Sequence, residues 1–307
     1  MLIKYVVKLY KNVARYSIFM LNLWTNRTCM PYIVLTIYLV IAVALQILTG
    51  NFPVYIMAFP LNLMLAALWL VVLSGLWKGF RKSMFVEFML SRAATISSIT
   101  LFLLFTLVIG FTGKSDLTSS WVYVALMLYL QTVIFFVILR GWRAPTATGA
   151  RLGAVRWRFL LLHAGLFMTL FSSFWGAPDM QTLRLQACSG VAVNEAYLTD
   201  GSREHLSYDV ILDDFRTETY ENGVPSMYEA SVRIDGEAVS LRVNHPYHMN
   251  MAEDVYLVSA GKDGKSCVIQ IVRDPWKYGV VAGIVFMLAG AFLLFAGGPR
   301  RRYGEDD

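Results

Sequence analysis

Charged side chains are scarce in this chain. They make up 16% of its 307 residues, against 57% hydrophobic, a balance that excludes an ordinary soluble domain and points to an integral membrane protein. Cysteine is nearly absent: the three residues form no C-x-x-C, so no thioredoxin-like pair is encoded, and no C-x-x-C-H, so no c-type haem is attached. Also missing are a Walker loop, a G-x-G-x-x-G before a strand and a G-x-S-x-G, which removes the common nucleotide-binding and serine-hydrolase readings. Ion conduction fits poorly as well, because the apolar runs contain almost no charge. No residue is assigned a catalytic role.

Long apolar runs are what the chain has in abundance. Six are near the ~20 residues a hydrocarbon core requires: Tyr32–Thr49, Pro53–Trp77, Ile96–Thr112, Trp121–Leu139, Trp157–Trp175 and Tyr278–Gly297. Trp or Tyr stands at the ends of several, at the level where amphipathic rings meet headgroups. Residues 1–31 carry Lys4, Lys8, Lys11, Arg15 and Arg27 among apolar residues, which reads as a basic amphipathic segment on the membrane surface. No convincing cleavable signal peptide is seen.

Basic residues orient the spans. The loop after the second holds Lys78, Arg81, Lys82 and Arg92; the loop after the fourth holds Arg140, Arg143, Arg151, Arg156 and Arg158; the tail begins Arg300, Arg301 and Arg302. The alternate loops are charge-poor. The positive-inside rule then places both termini in the cytoplasm, in a cell (inner) membrane. The net charge of +6 is thereby a topological signal, and a nucleic-acid partner is not needed to explain it.

Residues 177–277 differ in kind, with 9 Lys/Arg against 16 Asp/Glu. "YEASVRI" and "VSLRV" alternate in the way of half-buried strands, and "IDGE" between them supplies an Asp-Gly hairpin turn. The expected fold class is therefore a six-helix transmembrane bundle with an inserted extracytoplasmic mainly-β domain. Its parts are a basic segment at 1–31, five transmembrane helices in 32–176, the β-rich domain at 177–277, a sixth helix at 278–297 and a cytoplasmic tail at 298–307. Cys188 and Cys267 share the outer, oxidising side, where a disulfide between them or two unpaired buried thiols are both open. Asp213 and Asp214 are neighbours on a strand and so point to opposite faces, which is not the geometry of a carboxylate pair.

Four histidines remain. His205 lies in a polar stretch and is expected at the solvent. His245 and His248 follow a strand in "VNHPYHMN", at a spacing that would bring two imidazoles to one metal only if the backbone turned there; a turn residue and a surface residue are the plainer reading. His163 stands at lipid depth, about six residues or ~9 Å in from Trp157. An imidazole there either packs inward with a hydrogen bond to a neighbour, or ligates a haem iron within the bundle. Gly165, Thr169, Ser172 and Gly176 recur at three or four and give the same helix a close-approach side.

A family resemblance runs through roughly 155–297. "LLHAGLFMTL" and "FWGAPDMQTLRL", "LDDFRTETYENGVPSMYEASVRI", Asn244-His245-Pro246, "DVYLVSA", and Asp274-Pro275-Trp276 before a Gly-rich span follow one another in the order seen in the ResB (CcsB) family of cytochrome c maturation proteins, which this chain resembles. The resemblance implies a subunit that pairs with a CcsA-like membrane protein, holds haem b transiently in the membrane and presents it to apocytochrome c outside. It implies that His163 is the axial ligand, with Arg156 and Arg158 toward the propionates. The partner's Trp-rich haem-handling motif is absent, so this chain alone is not expected to attach haem, although the pair would act as a haem lyase (synthase). Five spans precede the outer domain where three are usual, and 32–112 is unmatched. The alternative is a structural subunit of a membrane redox complex with no haem of its own.

Overall fold

The computed structural model describes residues 30–143, 150–219, 225–261 and 265–296; within these, side chains from 150 to 156 are among those left aside. The basic segment 1–31, apart from its last two residues, and the tail 298–307 lie outside the described residues, as does the side chain of Arg156.

Among the described residues seven helices form: α1 (Met30–Thr49), α2 (Leu61–Gly79), α3 (Met84–Met89), α4 (Arg92–Thr112), α5 (Trp121–Arg143), α6 (Ala150–Gly176) and α7 (Lys277–Ala296). All but α3 are long and apolar enough to cross a membrane. The second differs from the expected Pro53–Trp77. Residues Val54–Met57 make a 3-10 turn, and the helix begins only at Leu61, after Pro60, whose missing N–H is no loss at a helix start. Short α3 was not anticipated. Ser83 caps it by accepting from the Val86 amide at 3.4 Å, and Ser91 caps α4 by accepting from Ala94 at 3.1 Å. Gly113, at φ 64°, ends α4 in the left-handed conformation that glycine adopts without a Cβ penalty.

Two compact units divide the chain. One comprises Met1–Met57, Leu63–Leu170 and Gly283–Asp307; the other comprises Ala58–Asn62 and Phe171–Ala282. The first is a helix bundle. Its helices α6 and α7 meet along small residues: a Cβ placed on Gly165 would lie 2.6 Å from the Gly283 carbonyl oxygen, and one on Gly290 would lie 2.9 Å from the Leu162 nitrogen.

The second unit is built on one antiparallel sheet of β1 (Gln181–Cys188), β2 (Ala192–Leu198), β3 (Arg203–Thr219), β4 (Pro225–Ile234), β5 (Glu237–Arg242), β6 (Tyr247–His248), β7 (Glu253–Ala260) and β8 (Ser266–Arg273). The strand order is β5-β4-β3-β2-β1-β8-β7-β6. Irregularities at Val193/Glu195, Leu212/Asp214 and Leu257/Ser259 bend the strands. The sheet curls until its two ends approach, and Tyr247 on β6 donates to Glu237 on β5 at 3.3 Å. One face then encloses the core, with Leu183, Leu185, Leu212, Leu241, Ile269 and Ile271 fully buried. Their alternation with exposed residues is the period of two that strand sterics impose. The β4–β5 hairpin turns on Asp235 and Gly236, both at positive φ, as the Asp-Gly pair implied.

The first and last strands, β1 and β8, pair at the sheet's centre from Gln181↔Arg273 to Cys188↔Ser266. The strand that leaves α6 therefore lies beside the strand that enters α7. Within this unit the ends of those two helices are also in contact: a Cβ on Gly176 would lie 2.5 Å from Trp276 Cβ, and Gly279 abuts the Ser172 hydroxyl.

Candidate functional site

His163 is half-buried on α6. At about 100° per residue it falls on the helix face between Phe159 and Phe167, well away from the Gly165–Thr169 stripe. Phe159 packs on Gly141 of α5, and the Phe167 ring lies 5.7 Å from Phe135 and 6.4 Å from Trp69, nearly parallel to the latter. That face is the one turned toward α5 and α2. The imidazole itself lies 4.0 Å from the Phe159 ring, and its Nδ1 is 2.8 Å from the Phe159 carbonyl oxygen. A carbonyl oxygen only accepts, so Nδ1 carries a proton, and in the neutral ring it is Nε2 that keeps the lone pair. This is the arrangement by which a backbone carbonyl fixes the tautomer of a metal-binding histidine. Its Nε2 is the atom that would be offered to a haem iron.

Arg158 is half-buried and stands about 140° around the helix from His163, off its face, whereas Arg156 is seven residues away and near register with it.

The resemblance-bearing residues of the outer unit do two different things. Asn244, at φ 66°, sits in a turn; His245 bridges its amide to the Arg242 carbonyl at 3.0 Å and leaves its ring exposed; Pro246 is half-buried before β6. Asp274, Pro275 and Trp276 form a clamp. Asp274 caps the turn by accepting from the Trp276 amide at 3.0 Å, and the Trp276 indole donates to Asp179 Oδ2 at 2.7 Å. The same carboxylate accepts from Asn62 Nδ2 at 2.7 Å and from the Phe59 amide at 2.6 Å, while Asn62 also donates to the Trp175 carbonyl at 2.8 Å. One aspartate thus ties the start of α2, the end of α6 and the start of α7. Sequence reasoning missed Asp179 and Asn62. The signal was present in Asn62, a lone amide in an apolar run that had to find a partner.

A second anchor lies at the base of α7. Lys277 at a helix N-terminus opposes the dipole, but its ammonium is 2.8 Å from Asp254, which also holds His248 Nδ1 at 2.6 Å. Burial pushes the Asp254 carboxyl up, and the hydrogen bonds from Lys277 and His248 bring it down to a net value below its ordinary 3.8. Arg273 pairs with both Glu204 and Glu253 next to this group. His248 is therefore a carboxylate partner. Among the described residues no group of three or more His, Cys, Asp or Glu could hold a metal.

Of the disulfide and the two unpaired thiols left open for Cys188 and Cys267, the structure has the thiols. Cys188 and Cys267 are both free; Cys267 is opposite Ala187 while Cys188 is opposite Ser266, so the two thiols leave adjacent strands on opposite faces. Burial in the core pushes the Cys267 thiol up to about 11. His205 is exposed, as expected, but in β3 and paired opposite Glu195 instead of in a loop. Asp213 and Asp214 go to separate partners, Arg233 and Arg216, at 2.8 Å each.

A membrane helix bundle carrying a curled β domain between its last two helices is the class these features define. Residues 139–268, less than half of the chain, match the model of the ResB-like family. The match takes in His163 and Asn244-His245-Pro246 and stops before Asp274. No curated protein matches the chain. Among solved structures a similar one is "Cytochrome c Heme Lyase CcmF", at 14% identity and a TM-score of 0.37, covering 76% of this chain and 45% of that one. This chain spans less than half the length of that structure, and a likeness at this score carries no weight for function.

Proposed function

We propose that the protein is the ResB-like half of a haem delivery and cytochrome c assembly complex. It holds haem b transiently at His163 and, together with a CcsA-like membrane protein, presents it to apocytochrome c on the outer face. The observation that carries this reading is the fixed tautomer of His163, whose Nδ1–H on the Phe159 carbonyl leaves Nε2 free to donate a lone pair at membrane depth. The ResB-like match over 139–268 supports it, since that segment contains the histidine. Bound iron would supply the Lewis-acid centre to which the histidine attaches; the protein's own part is to orient the imidazole and pack it against the Phe159 ring. Arg156 and Arg158 supply cations at the entry end of α6 for carboxylate groups. Both termini then lie in the cytoplasm and residues 177–277 outside, because basic and charge-poor loops alternate along the chain.

The test is substitution of His163 in the complex purified with its partner. His163→Ala is expected to abolish the Soret band and cytochrome c maturation while membrane insertion is kept, and added imidazole is expected to restore part of both. A structural histidine behaves otherwise: His163→Asn keeps a donor for the Phe159 carbonyl and so keeps activity. Full haem content and full maturation in the Asn variant would leave the scaffold role in a redox complex as the reading.

A further inference from the structure

The helix bundle has a half-open cavity of about 350 Å³ that no part of the reading above uses. It lies between α1, α2, α3 and α5, in the region outside the family match, and His163 does not line it. Leu35, Trp69, Leu73, Phe85, Met89 and Leu128 are among the residues of its wall. Three hydroxyl groups reach it, and each has a hydrogen bond elsewhere. The Tyr38 hydroxyl donates to the Ala125 carbonyl at 2.9 Å, the Tyr129 hydroxyl is 2.8 Å from Ser97 Oγ, and the Thr132 hydroxyl donates to the Leu128 carbonyl at 2.6 Å. The wall is therefore almost wholly apolar, which suits a hydrocarbon chain.

Cations crowd the same end of the bundle. Lys82 is two residues before Met84, itself in the cavity wall, and Lys78, Arg81 and Lys82 are all exposed. Arg81 stacks its guanidinium 4.7 Å above Trp77, whose ring belongs to one core cluster with the wall residues Leu73, Phe88 and Met89. Among the described residues none of these three cations makes an ion pair. In a bilayer an acyl chain gains nothing by leaving other chains for an apolar wall, so the headgroup decides which lipid is held.

We propose that this cavity and the α2–α3 turn form a site for an anionic phospholipid, with an acyl chain in the cavity and the phosphate on Lys78, Arg81 and Lys82. Basic pockets of this kind between transmembrane helices select acidic headgroups, at about 1 kcal/mol per cation, which is roughly fivefold in affinity for each.

Native mass spectrometry of the full-length protein in detergent, titrated with palmitoyl-oleoyl phosphatidylglycerol and in parallel with the phosphatidylcholine of the same chains, tests it. Phosphatidylglycerol is expected to bind at least tenfold more tightly. Lys78→Gln with Lys82→Gln is expected to weaken phosphatidylglycerol by roughly thirtyfold and leave phosphatidylcholine unchanged. Val34→Trp, at an exposed position on the cavity's rim, is expected to weaken both lipids alike. Equal binding of the two lipids by the parent, or an undiminished preference in the double variant, overturns the headgroup assignment. Unaltered binding in the Val34 variant overturns the cavity.

Discussion

Replacing Gly283 by Ala adds one methyl group to the seam between α6 and α7, and the structure says where it would go. The new Cβ would lie 2.7 Å from the Gly165 carbonyl oxygen and 2.7 Å from the Thr169 nitrogen, where ordinary contact begins at 3.4 Å. Both atoms are main chain, so neither can rotate aside, and the helices must separate by some tenths of an ångström along a seam that also contains Gly165 and Gly290. Overpacking of this sort costs about 1–3 kcal/mol. The same substitution at Gly75 or Gly110 meets nothing within 4 Å, and there the better helix propensity of Ala stabilises by up to about 1 kcal/mol. Two chemically identical changes on helices of one bundle thus differ by roughly 3 kcal/mol, with opposite sign. Thermal unfolding of the purified protein in detergent, parent against Gly283→Ala and Gly75→Ala, measures it. A Gly283 variant as stable as the Gly75 variant would refute the packing argument.

Asp179→Ala removes the shared acceptor of the Trp276 indole, the Asn62 amide and the Phe59 N–H, and is expected to cost about 3 kcal/mol or more in the same unfolding assay. Asp254 titrates below its ordinary value in the folded chain, so its contribution to stability is complete above that value and is lost as pH falls through the lowered one. The melting-temperature gap between the parent and Asp254→Asn is accordingly expected to be open at pH 7 and to close as the pH falls through the lowered carboxyl value; a gap independent of pH would deny the carboxylate that role. In intact cells a membrane-impermeant maleimide is expected to label half-buried Cys188 and to spare Cys267 until the domain is unfolded, because a buried thiol at about 11 supplies almost no thiolate at neutral pH. Failure to label Cys188 in any folded state would argue against the outward position of 177–277.

Much of the architecture follows from the chain's local chemistry. Six apolar runs of bilayer length must become helices, because in hydrocarbon every backbone N–H and C=O has to be satisfied within the segment. Alternation in 228–243 around Asp235-Gly236 had to become a hairpin, since period two and a positive-φ pair leave the backbone little else. The helical spacing of Gly165, Thr169, Ser172 and Gly176 marked a close-approach face before any partner was known. Local rules do not reach the partners themselves. That the stripe meets Gly279 and Gly283 of the last helix joins residues far apart along the chain. Sequence separation likewise hid the convergence of Asn62, Asp179 and Trp276, three unremarkable polar or aromatic residues until the chain folds them onto one carboxylate. The strand register alone set Cys188 and Cys267 on opposite faces, because a shift of one residue inverts every side chain of a strand. For His163 the two levels divide cleanly: hydropathy put an imidazole at membrane depth, and only the folded helix, by offering the Phe159 carbonyl to Nδ1, decided which nitrogen keeps its lone pair.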